Sequence, residues 1–291
     1  MRGKANNASL LIPALVLTAG LAPAQSSFQD VLPTGSDGAF YTIIQTAQRL
    51  GLAVPSSMGP CLSAPAGTNP PILQPPGTVS SQPACPYFGP DAAITRAEAA
   101  YWIVKSLADE TQISTYLCAT GGDPSGLSPA CNVGITAGTF ADLGVGGASI
   151  LNPFVSVTNA QLMRYIEVMA RRGYTKGCSA MDDPVHRFCP NDPLNRAQMA
   201  VLIIRAKMNN VFPTSLSGIP AAPVGDNFSF PPVPYFTDVT PADPVWGLYF
   251  PYVQELRELG ITSGTSPTTF SPDSNVTRKE IATFAVRAFF L

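Results

Sequence analysis

Phe270-Ser-Pro-Asp-Ser-Asn-Val-Thr-Arg-Lys-Glu280 is one of three copies of a motif in this 291-residue chain. The other copies are Phe88-Gly-Pro-Asp-Ala-Ala-Ile-Thr-Arg-Ala-Glu98 and Phe188-Cys-Pro-Asn-Asp-Pro-Leu-Asn-Arg-Ala-Gln198. In every copy a proline follows the phenylalanine by two residues and an arginine follows it by eight. Self-similarity of this kind indicates a repeat architecture, in which small units pack around a shared core.

A second signature, Phe-x-Asp followed by Val or Leu, precedes each copy of the motif. It begins at Phe28, Phe140 and Phe236. Apolar residues then recur at steps of three and four and stop at a glycine, which predicts an amphipathic helix with a left-handed C-cap. The three glycines are Gly51, Gly173 and Gly260. A second apolar helix is predicted after each motif, so every unit reads as signature, helix, loop and helix.

These patterns divide the chain into three units, which are residues 25–108, 140–208 and 236–291. Two short helices cannot bury their apolar faces alone, so we expect the units to pack around one core. The connections 109–139 and 209–235 are rich in Pro, Gly and Ser. We expect them to be extended excursions on the surface.

The N-terminus has the pattern of a secretory signal peptide over residues 1–24. Arg2 and Lys4 precede an apolar run, Leu10–Ala22, and Ala22-Pro-Ala24 offers a small-residue cleavage site. An uncleaved, membrane-associated tail is the alternative. The run is too short to cross a bilayer, and we expect no transmembrane span elsewhere. A net charge of -2 without a basic run argues against nucleic-acid binding.

Six cysteines in an exported chain suggest disulfides. Position favours pairing between neighbours, because each pair then closes a long loop. The expected pairs are Cys61–Cys85, Cys118–Cys131 and Cys178–Cys189. We predict neither a metal site nor a cofactor, since the sequence has no C-x-x-C and one histidine, His186, beside Asp182 and Asp183.

Each motif also carries a helix-capping box, with an N-cap residue and a Glu or Gln three positions later. The pairs are Thr95 with Glu98, Asn195 with Gln198, and Thr277 with Glu280. Capping does not explain Arg96, Arg196 and Arg278, because a cation in the first turn opposes the helix dipole. Two interpretations stay open: an ion pair with a signature aspartate (Asp30, Asp142 or Asp238) that joins units, or an anionic ligand bound from outside.

The combination of Phe-x-Asp-Val, a helix ending in Leu-Gly-Ile, and Phe-x-Pro-Asp…Val-Thr-Arg-x-Glu resembles the S-layer homology repeat. Unit three matches it best, from Phe236-Thr-Asp-Val through Trp246 and Leu259-Gly-Ile to Thr277-Arg-Lys-Glu280. The resemblance implies an all-α fold of three helix-loop-helix repeats in a pseudo-threefold prism with long Pro/Gly-rich loops. It also implies a secreted protein attached non-covalently to the cell envelope.

Members of that family bind anionic cell-wall polysaccharide or peptidoglycan-linked polymer in grooves between adjacent repeats, and the motif arginine is a principal ligand residue. By this resemblance the ligand-binding residues are Arg96, Arg196 and Arg278. Unit two departs from the pattern at Asn195 and Gln198, so the resemblance points first to units one and three. Trp246 either lines a groove or belongs to the core.

The sequence shows no Ser/His/Asp grouping and no Gly-rich phosphate loop, so we do not expect an enzyme. The alternative function is a structural subunit that assembles with other copies of itself into a surface layer or extracellular filament. The long Pro-rich connections would then make the contacts between subunits.

Overall fold

The computed structural model describes residues 28–35, 38–59, 85–131, 134–179, 183–208 and 233–291. This part of the chain contains seven α-helices, four 3-10 helices of three residues each and one short pair of strands. The helices are α1 (Gly38–Arg49), α2 (Arg96–Leu107), α3 (Glu110–Ala119), α4 (Asn159–Arg171), α5 (Arg196–Met208), α6 (Phe250–Glu258) and α7 (Arg278–Phe289). The antiparallel strands are β1 (Ser57–Gly59) and β2 (Cys85–Tyr87). The predicted mostly helical class is confirmed, with this small strand pair as the exception. The predicted signal peptide lies outside the described residues, as do residues 209–232.

Helices α2, α5 and α7 begin at the motif arginines, where the sequence predicts helix starts. The Thr95 hydroxyl accepts a hydrogen bond from the Glu98 backbone N–H at 3.2 Å. The Asn195 side chain likewise accepts from the backbone N–H of Gln198 at 2.8 Å. At α7 the Thr277 backbone N–H donates to the Glu280 carboxylate at 2.9 Å. These contacts satisfy N–H groups that have no partner inside the helix, which fixes where each helix begins.

The three motif segments join one another in a closed ring of backbone hydrogen bonds. The Ile94 N–H donates to the Val276 carbonyl at 2.9 Å, and the Val276 N–H donates to the Leu194 carbonyl at 2.9 Å. The Leu194 N–H completes the ring by donating to Ile94 at 3.1 Å. Each motif segment is therefore bound to both of the others, although they lie far apart in sequence.

The helices follow the same cyclic order as the ring. Helix α2 of unit one packs on α4 of unit two, α5 of unit two packs on α6 of unit three, and α7 of unit three packs on α1 of unit one. Each motif helix thus buries its apolar face against the first helix of the next unit. The result is one continuous core, as expected for units too small to bury their own apolar surface.

The signature aspartates hold the motif loop of their own unit. Asp142 accepts hydrogen bonds from the backbone N–H groups of Phe188 at 2.8 Å and Cys189 at 2.7 Å. Asp30 and Asp238 make the same pair of bonds in units one and three. The second residue of each pair has a left-handed backbone, at Gly89, Cys189 and Ser271. The carboxylate therefore stabilises a turn that only glycine adopts without strain.

The connection 109–139 differs from the extended excursion that the sequence predicted. Residues Glu110–Ala119 form helix α3, whose residues Ile113, Tyr116 and Leu117 are buried. Asp109 caps this helix, accepting from the backbone N–H of Gln112 at 2.8 Å. The prediction of an extended segment was wrong because it relied on the Pro, Gly and Ser content of residues 109–139. The same residues also contain a capping box and apolar residues at helical spacing.

Two of the three predicted disulfides are present. Cys118 is bonded to Cys131 and Cys178 to Cys189, with Cα–Cα distances of 5.1 and 6.0 Å. The third predicted pair includes Cys61, which lies outside the described residues. Among the described helices, none has the length and apolar character needed to span a membrane.

Candidate functional site

The three motif arginines are buried between units, with exposed fractions of 6% for Arg96, 3% for Arg196 and 2% for Arg278. Each guanidinium lies over the motif phenylalanine of the next unit, at 5.0 Å for Arg96 over Phe188. The other two distances are 4.8 Å for Arg196 over Phe270 and 5.1 Å for Arg278 over Phe88. Stacking of this kind is attractive because the ring face carries partial negative charge.

Two of the arginines form ion pairs with the capping-box acid of the next unit. Nη1 of Arg196 lies 2.6 Å from Glu280, and Nε of Arg278 lies 2.9 Å from Glu98. The signature aspartates are not the ion-pair partners of the arginines, so the prediction of an ion pair between units was wrong in naming the aspartates as the acids. The aspartate carboxylates already accept hydrogen bonds from backbone N–H groups, whereas the ring of motif segments places the capping-box acids against the arginines.

Arg96 occupies the same position but faces Gln198 instead of an acid. Its Nε donates to the Phe188 carbonyl at 2.7 Å and its Nη2 to the Gly177 carbonyl at 3.2 Å. Nη1 of Arg96 makes no hydrogen bond within the described residues. Burial lowers the pKa of Arg96, and Asp192 and Asp142 oppose this from beyond ion-pair distance. Arg96 therefore keeps a guanidinium charge without a carboxylate in contact.

Arg96 lies in a groove of about 300 Å³ between units, which we name groove A. Among the residues that the structure describes, three cationic side chains line it, those of Arg96, Arg205 and the exposed Lys176, and no acidic one does. Its remaining lining includes Tyr249 and Gln198, together with residues 175–179 and the apolar Val201 and Leu202. The groove therefore combines positive charge with an aromatic and an aliphatic wall.

Arg196 lies in a second, equivalent groove of about 200 Å³, which we name groove B. Its cationic residues are Arg196 and Arg287, and Phe40 takes the place that Tyr249 has in groove A. Glu280 also lines it and contacts Arg196 there. Groove B consequently carries less positive charge than groove A.

The equivalent place beside Arg278 is filled by the protein itself. Phe154, from the loop before α4, lies 5.3 Å from the Arg278 guanidinium and 4.6 Å from the Tyr101 ring. Lys105, which corresponds to Arg205 and Arg287, is ion-paired with Glu110 of α3 at 3.0 Å. Arg278 therefore contacts Phe154 on the side where Arg96 and Arg196 face open grooves.

Burial raises the pKa of Glu98, the ion-pair partner of Arg278, to about 7, against the opposing effect of the Arg278 charge.

Trp246 is half-buried and packs against the core and the Tyr249 ring, at 5.7 Å between ring centroids. It does not line groove A, but it contacts a residue that does. Sequence reasoning missed Lys176, Tyr249 and Phe40 as groove residues. One signal was available, because an aromatic residue follows each signature phenylalanine by 12 to 14 positions, at Phe40, Phe154 and Tyr249.

Residues 235–282 match the S-layer homology domain family. The match covers the signature of unit three, helix α6, the loop and the Phe270–Glu280 motif. It confirms the family resemblance for that unit. No curated protein matches the chain. S-layer homology domains are in general cell-wall binding modules and imply association with the cell surface.

Proposed function

We propose that this protein is a non-catalytic module that binds the cell envelope. In this proposal units one, two and three are S-layer-homology-like repeats arranged as a pseudo-threefold prism. The closed ring of motif segments and the cyclic order of helix packing support that arrangement. The ligand is an anionic cell-wall polysaccharide or a peptidoglycan-linked polymer, held in the grooves between units.

The observation that carries this proposal is the charge of groove A. Arg96, Lys176 and Arg205 line one concave surface, and no acidic side chain is among its described lining residues. Such a surface attracts anions, and charge-assisted hydrogen bonds to a guanidinium are among the strongest that proteins make. The Tyr249 side chain offers an aromatic face beside these charges, against which a sugar ring can pack.

Arg96 is also held in place before any ligand arrives. Two carbonyl groups and the Phe188 ring fix its guanidinium, while no described group accepts a hydrogen bond from Nη1. A side chain that is already ordered loses little conformational entropy when it binds, which favours affinity. In this proposal Arg96 and Arg196 contact the ligand, whereas Arg278 joins units three and one.

A pull-down with purified cell-wall polymer tests the proposal. The variant Lys176→Glu reverses a charge at an exposed position of groove A, so the change does not disturb a buried contact. Arg49→Glu is the matched control, because Arg49 is exposed and lines neither groove. We expect wild type and the Arg49 variant to bind the polymer and the Lys176 variant to bind at least about fivefold more weakly, a loss of about 1 kcal/mol.

Equal binding by all three proteins would refute groove A as the binding site. If wild type binds no polymer but forms ordered sheets or filaments in electron micrographs, the self-assembling subunit is the correct function instead.

A further inference from the structure

We propose that Gln198 determines the ligand selectivity of groove A, so that the two open grooves differ in the charge they accept. Groove A selects a negatively charged sugar residue, whereas groove B accepts an uncharged one. This inference rests on the proposed function, because it concerns the same two grooves. It goes further in assigning the difference between them to a single sequence position.

The position is defined by the cyclic contacts. Gln198 and Glu280 are each the third residue of a motif helix, and each faces the motif arginine of the preceding unit. In groove B the acid contacts Nη1 of Arg196 at 2.6 Å. In groove A the corresponding Nη1 belongs to Arg96 and has no described acceptor. The substitution of an acid by an amide therefore leaves one guanidinium edge open.

Glu280 makes groove B a poor site for an anion in two ways. Its carboxylate occupies the Nη1 edge of Arg196 that a ligand carboxylate would need. It also carries a negative charge inside the groove, so a second anion there meets like-charge repulsion. Hydroxyl groups of an uncharged sugar meet no such repulsion and can donate to the same carboxylate.

Gln198 removes both obstacles in groove A. The amide carries no charge, and the aspartates that act on Arg96 lie beyond ion-pair distance, with Asp142 bonded to backbone N–H groups. Lys176 and Arg205 add positive charge on the same lining, where Arg205 also donates to the Tyr252 hydroxyl at 3.1 Å. Within the described residues, no carboxylate contacts the Arg96 guanidinium, so an external anion can take that place.

Helix capping does not require the Gln198 side chain. Asn195 accepts from the backbone N–H of Gln198, and this bond is the same whichever side chain stands there. The Glu280 side chain does accept from the Thr277 backbone N–H at 2.9 Å, and the amide oxygen of a glutamine can accept the same bond. Gln198→Glu and Glu280→Gln are therefore near-isosteric changes that exchange the charge of the two grooves.

The test uses the full chain and two probes that differ by one charge, methyl glucuronide and methyl glucoside, titrated by NMR. Wild type should bind the glucuronide at one site, with the largest shifts at groove A, and should prefer it to the glucoside there by at least tenfold. Gln198→Glu should reduce that preference at least tenfold without lowering the melting temperature. Glu280→Gln should add a second glucuronide site at groove B.

The inference is overturned if wild type does not prefer the glucuronide, if Gln198→Glu leaves the preference unchanged, or if Glu280→Gln adds no site. Polymer pull-down on the same variants separates this failure from failure of the proposed function. Polymer binding that persists undiminished in Gln198→Glu overturns the inference and leaves the envelope-binding function standing. If Gln198→Glu loses the glucuronide binding of wild type, but wild type itself does not bind polymer, the inference is supported and the proposed function is refuted.

Discussion

The double substitution Cys178→Thr, Cys189→Ser should weaken groove A while the helices remain folded. The two cysteines directly follow the two carbonyl groups, of Gly177 and Phe188, that hold the Arg96 guanidinium. Unit three has Thr265 and Ser271 at the corresponding positions, joined by a hydrogen bond of 2.7 Å. The variant therefore replaces the covalent link with a pair of side chains that the same loop already uses in another unit.

The size of the effect follows from the loop that the disulfide closes. A sequence separation of 11 corresponds to a loss of about 3 kcal/mol of stability in the loop-entropy treatment. A hydrogen bond between the new hydroxyl groups returns about 1 kcal/mol, so the net loss is about 2 kcal/mol. Arg96 then becomes less ordered before binding, which costs about 0.5–1.5 kcal/mol and weakens polymer binding about two- to tenfold.

Urea denaturation and polymer pull-down measure the two effects separately. The control is Cys118→Ser, Cys131→Ser, which opens a loop of similar length, with a separation of 13. Neither of these cysteines lines groove A. We expect the control to lose comparable stability, about 3 kcal/mol, with unchanged polymer binding. Equal weakening of binding in both double variants, or full binding by Cys178→Thr, Cys189→Ser, would refute the positioning of Arg96 by the disulfide.

Three further predictions concern stability. Because burial raises the pKa of Glu98 from 4.5 to about 7, the folded protein holds a proton that the unfolded chain releases, so the free energy of unfolding should fall as pH rises from about 4.5 to 7. Urea denaturation at pH 5 and pH 8 should show a smaller difference in Glu98→Gln, and an unchanged difference would contradict this assignment. Asp142→Ala removes the acceptor of two backbone N–H groups and should lower the free energy of unfolding by about 3 kcal/mol. The control is Asp91→Ala at an exposed position, which breaks a surface ion pair with Lys279 and should change the free energy of unfolding by less than about 1 kcal/mol. Phe154→Ala should cost about 3 kcal/mol and speed solvent exchange of the Arg278 side-chain N–H groups in NMR spectra, while unchanged exchange would show that Phe154 does not shield them.

The local features of the fold could be predicted from sequence because their causes are local. The starts of α2, α5 and α7 depend on contacts within three residues. The ends of α1, α4 and α6 are each followed by one glycine with positive φ, at Gly51, Gly173 and Gly260. The missed helix α3 belongs to the same class, since Asp109 and Gln112 form a capping box that sequence reasoning could have read.

The site could not be predicted to the same degree, because its contacts depend on the cyclic order of the units. Arg278 pairs with Glu98, which lies in the first unit of the chain, and no local pattern connects the two. The same order places Gln198 beside Arg96. The departure of unit two from the motif, a glutamine in place of the glutamate, therefore changes the charge of the groove that contains Arg96 of unit one. The filling of the third position by Phe154 depends on a loop that differs among the units.

The ring formed by Ile94, Leu194 and Val276 has no first or last member, although the chain that makes it has two ends. Deleting one unit would therefore not give a shorter version of the fold, because it would leave an N–H group and a carbonyl group without partners in the units that remain. Moving the chain ends, unlike deleting a unit, does not remove any member of the ring. A circular permutant that opens within a connection between units keeps every bond of the ring, so the order of the units along the chain can change while their number cannot.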